Sequence, residues 1–215
     1  PYLEQIKDYT YYFQFTLSAY GPDVERNLPS KNKIIIPTFQ QLSKEIGKEK
    51  VIWRYDPIFF NVQYSMEYHC KYFEVLASKL GDYTEKCTVS FMDMYRNTER
   101  NVRTLSIVKD TYEMQVELLQ RFVEIAKEHG LYIDTCAEVG DFHNIGVEHA
   151  HCIDRERIER IGGFKLNVDK DTNQRAECGC VASIDIGAYN TCKNGCLYCY
   201  ANYSSNTVEK NFGMH

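Results

Sequence analysis

Three cysteines near the end of the chain, Cys192, Cys196 and Cys199, stand in a C-x3-C-x2-C run, with Gly195 before the second and Tyr198 before the third. Three thiolates this close can take three corners of an iron–sulfur cluster or three sites on a zinc ion. Four-ligand structural zinc sites usually show two C-x2-C-like pairs. Here Cys196 and Cys199 form one such pair, Cys178-Gly179-Cys180 is much tighter, and Cys192 is left over. A three-plus-one arrangement uses the residues better, because it leaves one metal position open for a ligand that is not protein. Gly195 lets the backbone approach closely, and a tight turn presents N–H groups to an anionic cluster.

Removing these three leaves Cys136, Cys152, Cys178 and Cys180 as a second set. Four thiolates are the complement for a second [4Fe–4S] cluster, which would relay electrons, or for a structural zinc, which would staple loops. His143, His149 and His151 lie between Cys136 and Cys152 and offer further ligands, although a polar loop over the site is the preferred reading of them. Cys70 and Cys87 read as small buried hydrophobes, and His69 as structural. Nine cysteines in a chain that is 44% apolar do not resemble a secreted disulfide scaffold; they point to metal and to a reducing, cytoplasmic setting.

These groups need a frame. Strand patterns fall at Tyr11 to Leu17, Lys50 to Tyr55 (stopped by Asp56-Pro57), Lys86 to Phe91, Leu131 to Cys136 and Val181 to Ile186. Helical spacing falls between them. Thr38 caps Phe39 to Ile46, which Gly47 ends; Ser65 caps a helix to Leu80, which Gly81 closes; a helical region ends with Tyr112 to His129; Asp154 caps Arg155 to Ile161; and Leu197 to Tyr203 starts a last helix. Alternating strands and helices predict an α/β fold of repeated βα units with a parallel sheet. The strands are too few for a closed eight-stranded barrel within this stretch, so the expectation is a partial or complete TIM-like (β/α) barrel, with the N-terminal part absent from this fragment. An open doubly wound parallel sheet is the alternative. Residues 1–215 read as a single α/β domain fragment of a longer protein, with 178–203 as its cysteine-rich cluster-binding segment.

In parallel α/β folds the strand carboxyl ends build the site. They carry Thr16, Arg54, Asp56, Ser90, Asp93, Cys136, Glu138 and Asp185, with the cysteine run following the last strand on the same face. Arg54, Asp56 and Glu138 are the catalytic candidates; Arg54 could grip a carboxylate or phosphate, or pair internally with Asp56 or Glu138. The net charge of −5 argues against a nucleic-acid partner, short of a local basic groove, and no apolar run is long enough for a membrane partner. There is no P-loop, G-x-G-x-x-G or nucleophile elbow.

The eight residues Cys192-x3-Cys196-x-Tyr198-Cys199 resemble the signature of radical S-adenosylmethionine enzymes. The resemblance implies a [4Fe–4S] cluster on Cys192, Cys196 and Cys199. It also implies S-adenosylmethionine on the open iron, Tyr198 beside its adenine, an electron donor as partner, and reductive cleavage of the cofactor to act on an unknown substrate. In most of that superfamily the motif follows the first barrel strand, whereas here it comes late. The longer run from Cys178 to Ala201, with Trp53-Arg54-Tyr55-Asp56-Pro57, Thr135-Cys136-Ala137-Glu138 and Cys152-Ile153-Asp154, resembles an uncharacterised bacterial family, domain of unknown function eighteen forty-eight. That family implies no substrate. The other functional reading is a non-catalytic zinc or iron–sulfur binding protein with a structural or interaction role.

Overall fold

Runs of β-branched and aromatic residues with alternating polarity build the first four strands. The computed structural model describes residues 2–213. β1 (Phe13–Thr16), β2 (Val51–Ile58), β3 (Lys86–Phe91), β4 (Tyr132–Thr135) and β5 (Glu148–His149) form one all-parallel sheet in the order β1-β2-β3-β4-β5. Helices α1 (Ile36–Ile46) and α2 (Met66–Leu80) make the first two crossovers, α3 (Arg96–Val102) and α4 (Tyr112–Glu128) the third, and α5 (Arg155–Gly162) and α6 (Ser205–Phe212) follow β5. This is the α/β fold of alternating βα units. Among the described residues β1 and β5 each pair with one neighbour, so no closed barrel forms; the open all-parallel sheet is consistent with the doubly wound alternative.

Side chains alternate across a strand. Phe15, Trp53, Tyr55, Cys87, Val89 and Ile133 point to the helices and pack with Phe39, Phe73, Leu80, Leu118 and Phe122 in the main core. Trp53 stacks on Phe73 with ring centroids 5.0 Å apart, and Phe73 on Phe122 at 3.9 Å. Each such buried aromatic contributes about 1.5–3 kcal/mol from area alone. The indole N–H of Trp53 donates to the carbonyl of Leu17 at 2.8 Å, so its burial leaves no orphan donor. The opposite face is polar: Gln14, Thr16, Arg54 and Asp56 lie on it, and deeper in, Lys86 pairs with Asp134 while Thr88 Oγ1 donates to Asp134 Oδ1 at 2.6 Å.

Several boundaries follow the caps expected. Ser65 accepts from the Tyr68 N–H, and Asp154 from the Arg157 N–H; Gly47 and Gly163 end α1 and α5. Others differ. α1 starts at Ile36 rather than after Thr38, because Pro37 is tolerated in a first helical turn, and Thr38 instead donates its hydroxyl to Ile34 O at 2.8 Å. β2 runs through Asp56-Pro57 to Ile58, with Pro57 placed where the register against β3 shifts and no ladder N–H is needed. Val181 to Ile186 is not a strand. Only Val181 bridges, to Lys170, and Ile184 and Ile186 are 88% and 95% exposed. The fifth strand is Glu148–His149, inside the stretch expected to be a histidine loop.

Candidate metal centre

The cysteine run is an irregular loop that follows no strand, and the helix expected over Leu197 to Tyr203 is absent. α6 begins at Ser205, capped by the Ser204 hydroxyl. The loop still reaches the carboxyl ends of the strands, because it is strapped to the connection after β1. The Leu197 N–H donates to Val24 O (3.0 Å), the Asn27 N–H to Asn194 O (3.0 Å), and Asn27 Nδ2 to Lys193 O (2.8 Å). Gly195 turns the loop with φ +65°, and a β-carbon there would come within 3.0 Å of Asn27 Nδ2. Cys192 is exposed, while Cys196 and Cys199 are half-buried. Cys192 and Cys196 border one concavity of about 550 Å³ beside Arg26, Arg100 and Lys193; Cys199 borders another.

Glu25 fastens this strap. It is 4% exposed; its Oε1 accepts from Ser18 Oγ (2.8 Å) and from the Tyr198 hydroxyl (2.5 Å), and its Oε2 pairs with Lys31. The Lys31 ammonium also donates to Ser18 O and Tyr20 O, both at 2.7 Å. Burial, with the Glu25 carboxylate beside it, pushes the Tyr198 phenol far above its ordinary range. The Cys196 thiol is raised to about 11, chiefly by burial. Tyr198 packs with buried Tyr20, Val24, Phe59 and Tyr64, so the hydroxyl is engaged while the residue lines the second concavity.

That second concavity, about 640 Å³, opens over the polar sheet face. Thr16, Arg54, Asp56, Ser90, Asp93 and Cys136, all expected at strand ends, line it. Arg54 pairs internally: Nε and Nη2 both donate to Asp56 Oδ2 (2.8 and 2.5 Å), and Nη1 to Gln14 Oε1 at 2.6 Å. Burial works against its charge, but Asp56 and then Cys152 outweigh it and hold the guanidinium ionised. Glu138 is not among the lining residues; it accepts from the Phe91 N–H at 2.8 Å, and burial raises its carboxyl to about 7. Asp185 is exposed and accepts from the Gly187 N–H.

The second cysteine set does assemble. Cys136, Cys152, Cys178 and Cys180 all line the same concavity. They stand in a row: Cys136 Sγ lies 3.1 Å from Cys152 Sγ, and Cys180 is a near neighbour of both Cys152 and Cys178. The Cys152 contact, then burial, raises the Cys136 thiol, whereas the contact with Cys152 lowers that of Cys180. Two N–H groups point at this sulfur row, Arg54 Nη1 at Cys152 (3.0 Å) and the Ile153 amide at Cys180 (3.3 Å). Among the described residues no group of three His, Cys, Asp or Glu side chains is set to hold a metal ion, so the row is not closed round a point.

The histidines scatter. His143 is exposed and pairs with Glu148 at 2.6 Å, His149 is exposed on β5, and the exposed His151 ring lies over Gly179, where a β-carbon would collide with it at 2.1 Å. Cys87 is fully buried in the core, Cys70 half-buried against it. Sequence reasoning missed Glu25 and Lys31. A single Glu after Gly21-Pro22-Asp23 carries no local mark of burial, and its partners lie 173 and 6 residues away. The described residues include no helix long and apolar enough to cross a membrane.

Residues 1–201 match the family model described as Domain of unknown function (DUF1848), and the chain belongs to that family. No curated protein and no solved structure matches it.

Proposed function

We propose that this member of the family is an iron–sulfur enzyme resembling radical S-adenosylmethionine enzymes, with Cys192, Cys196 and Cys199 as cluster ligands and the concavity over the polar sheet face as its substrate chamber. The observation that carries the reading is the strapped loop. It holds the three thiols within one short turn, opens Cys199 onto the chamber lined by Arg54 and Asp56, and contains no His, Asp or Glu between the cysteines to complete the set. The donor set fits a cluster. Each cysteine of a four-iron cube takes a separate corner, so the three thiols need not meet at one point as they would on a single ion.

When bound, a [4Fe–4S] cluster would supply the electron that cleaves S-adenosylmethionine. The chain's own residues would do the rest. Gly195 and the Asn27 contacts shape the loop, and Glu25 holds the Tyr198 hydroxyl so that the tyrosine faces the chamber, beside the adenine in this reading. Arg54, kept charged by Asp56, supplies a fixed positive group at the chamber wall. The sequential order of parallel strands, with α1, α2 and α4 packed against the same core, supports an arc of a (β/α) barrel as the architecture. An electron donor and a reducing cytoplasmic setting belong to the same reading.

Anaerobic reconstitution of the full-length protein with iron and sulfide tests it. The expected result is cluster absorption and reductive formation of 5′-deoxyadenosine, both lost in Cys196→Ala. Cluster absorption that survives replacement of each of Cys192, Cys196 and Cys199 would refute the assignment. The firmness of the strap favours one other reading, a non-catalytic zinc or iron–sulfur protein. A protein loaded through the triad yet inert towards S-adenosylmethionine would select that reading.

A further inference from the structure

We propose that Cys136, Cys152, Cys178 and Cys180 form a separate site for one tetrahedral thiophilic ion of the zinc class. The site borders the same concavity as Cys199 but uses none of Cys192, Cys196 and Cys199, so failure of either reading leaves the other intact. Three segments supply the sulfurs: the end of β4, the loop after β5, and the Cys178-Gly179-Cys180 turn. All four line one concavity, the Cys136 and Cys152 sulfurs lie 3.1 Å apart, and Cys180 is a near neighbour of both Cys152 and Cys178.

Sulfur spacing chooses between a cluster and a single ion. Thiolates about 2.3 Å from a tetrahedral zinc stand roughly 3.8 Å from one another. The 3.1 Å separation of Cys136 and Cys152 is shorter than that by about 0.7 Å, so this pair would open slightly round an ion. A four-iron cube instead keeps its cysteinyl sulfurs on outer corners, far beyond contact with one another. The row therefore suits a single ion. Closing it needs the end members, Cys136 and Cys178, to turn toward each other in the shared concavity, which also accounts for the absence of a preformed three-ligand point among the described residues.

A second observation points the same way. The N–H groups of Arg54 and Ile153 are aimed at sulfur, at 3.0 and 3.3 Å, and such donors favour thiolate over thiol. The balance is simple. Four thiols release four protons, a divalent cation binds the four thiolates, and the resulting double negative charge sits against the Arg54 guanidinium. Tyr12 Oη (2.5 Å) and Gln14 Nε2 (2.9 Å) hold the Cys152 carbonyl, fixing the central ligand to β1 and the segment before it. The ion would then tie the β5 loop and the 178–180 turn to the sheet.

Cobalt(II) binding to the full-length protein with Cys192, Cys196 and Cys199 all replaced by Ser tests the site. One equivalent of cobalt, with intense thiolate charge-transfer absorption, tetrahedral ligand-field bands and displacement by zinc, is expected. Cys178→Ser in that background should weaken binding at least tenfold, while Cys70→Ser should leave it unchanged. Circular dichroism monitors folding, and Cys136→Ser on a different segment reads the same site if Cys178→Ser does not fold. Failure to bind cobalt, bands that survive both ligand variants, cluster absorption on reconstitution with iron and sulfide, or a Cys136–Cys152 disulfide in place of an ion would each overturn the proposal.

Discussion

Glu25→Gln is the sharpest test of how the cysteine loop is held. The substitution keeps the shape and an acceptor for Ser18 and Tyr198, and removes only the charge that faces Lys31. The Lys31 ammonium would then sit between the carbonyls of Ser18 and Tyr20 with no counter-ion. Removing one partner of a buried pair costs about 3–5 kcal/mol. The Lys31 side chain is still 21% exposed and water can partly reach it, which puts the expected loss at the lower end, about 3 kcal/mol. Replacing the stranded charge as well, in Glu25→Gln/Lys31→Met, should recover about 2 kcal/mol of this, because a pair removed together is nearly neutral. Urea denaturation followed by circular dichroism gives the two differences. Limited proteolysis between residues 190 and 203 should show the loop released in the single variant. If Glu25→Gln lies within about 0.5 kcal/mol of the parent, a loss no larger than an ordinary surface change, or if the double variant is no more stable than the single one, Glu25 and Lys31 are not the fastening described.

Two further outcomes follow from the geometry. His69 is fully buried, bonded to the Tyr55 hydroxyl (2.9 Å) and Phe59 O (3.0 Å), and burial lowers it from 6.5 to about 4. Below pH 6.5 the unfolded chain takes up a proton that the folded chain refuses until about pH 4, so the contribution is complete above 6.5 and is lost as pH falls across that window, roughly 3 kcal/mol in all. The stability of His69→Gln should fall less steeply there, and parallel pH profiles would refute the assignment. Gly195→Ala should cost about 1–2 kcal/mol, because its φ of +65° is left-handed and the new methyl meets Asn27 Nδ2; an unchanged melting temperature would show that the turn is not as described.

The sequence pattern served best where it was strongly periodic and locally closed. β3 and α2 appear with their expected ends because Gly81 and the Ser65 cap bracket α2, and because Lys86 to Phe91 alternates against two neighbours. It failed where pairing rather than pattern decides. Ala182, Ile184 and Ile186 keep the period of a strand, but among the described residues the pairing stops at the Val181–Lys170 bridge and the Ala182 N–H, which donates to Asp169 O. Glu148–His149 has no strand pattern and becomes one because the edge of β4 is open to it. The chemistry divides in the same way. Cysteine identity and spacing picked out seven residues, of which Cys136, Cys152, Cys178, Cys180 and Cys199 line one concavity, and strand-end position was enough to gather Arg54, Asp56 and Cys136 there. Glu25 could not be seen, since its role arises from a contact with Tyr198 across 173 positions.

The Lys86–Asp134–Thr88 group bears on how the sheet finds its alignment. Thr88 and Asp134 are direct register partners across β3 and β4, and Lys86 lies two residues back on the same side of its strand. Sliding either strand by one residue turns every side chain to the other face. It would drive the Lys86 or Asp134 charge among Phe122, Leu118 and their neighbours, and bring Cys87 or Ile133 to the polar side. An apolar pair in their place would make the two alignments far closer in energy. The buried charges therefore act as a key, adding little net stability while making the misaligned sheet too costly to populate. Because the strand ends line the concavity, the same key sets where Cys136 stands relative to Arg54.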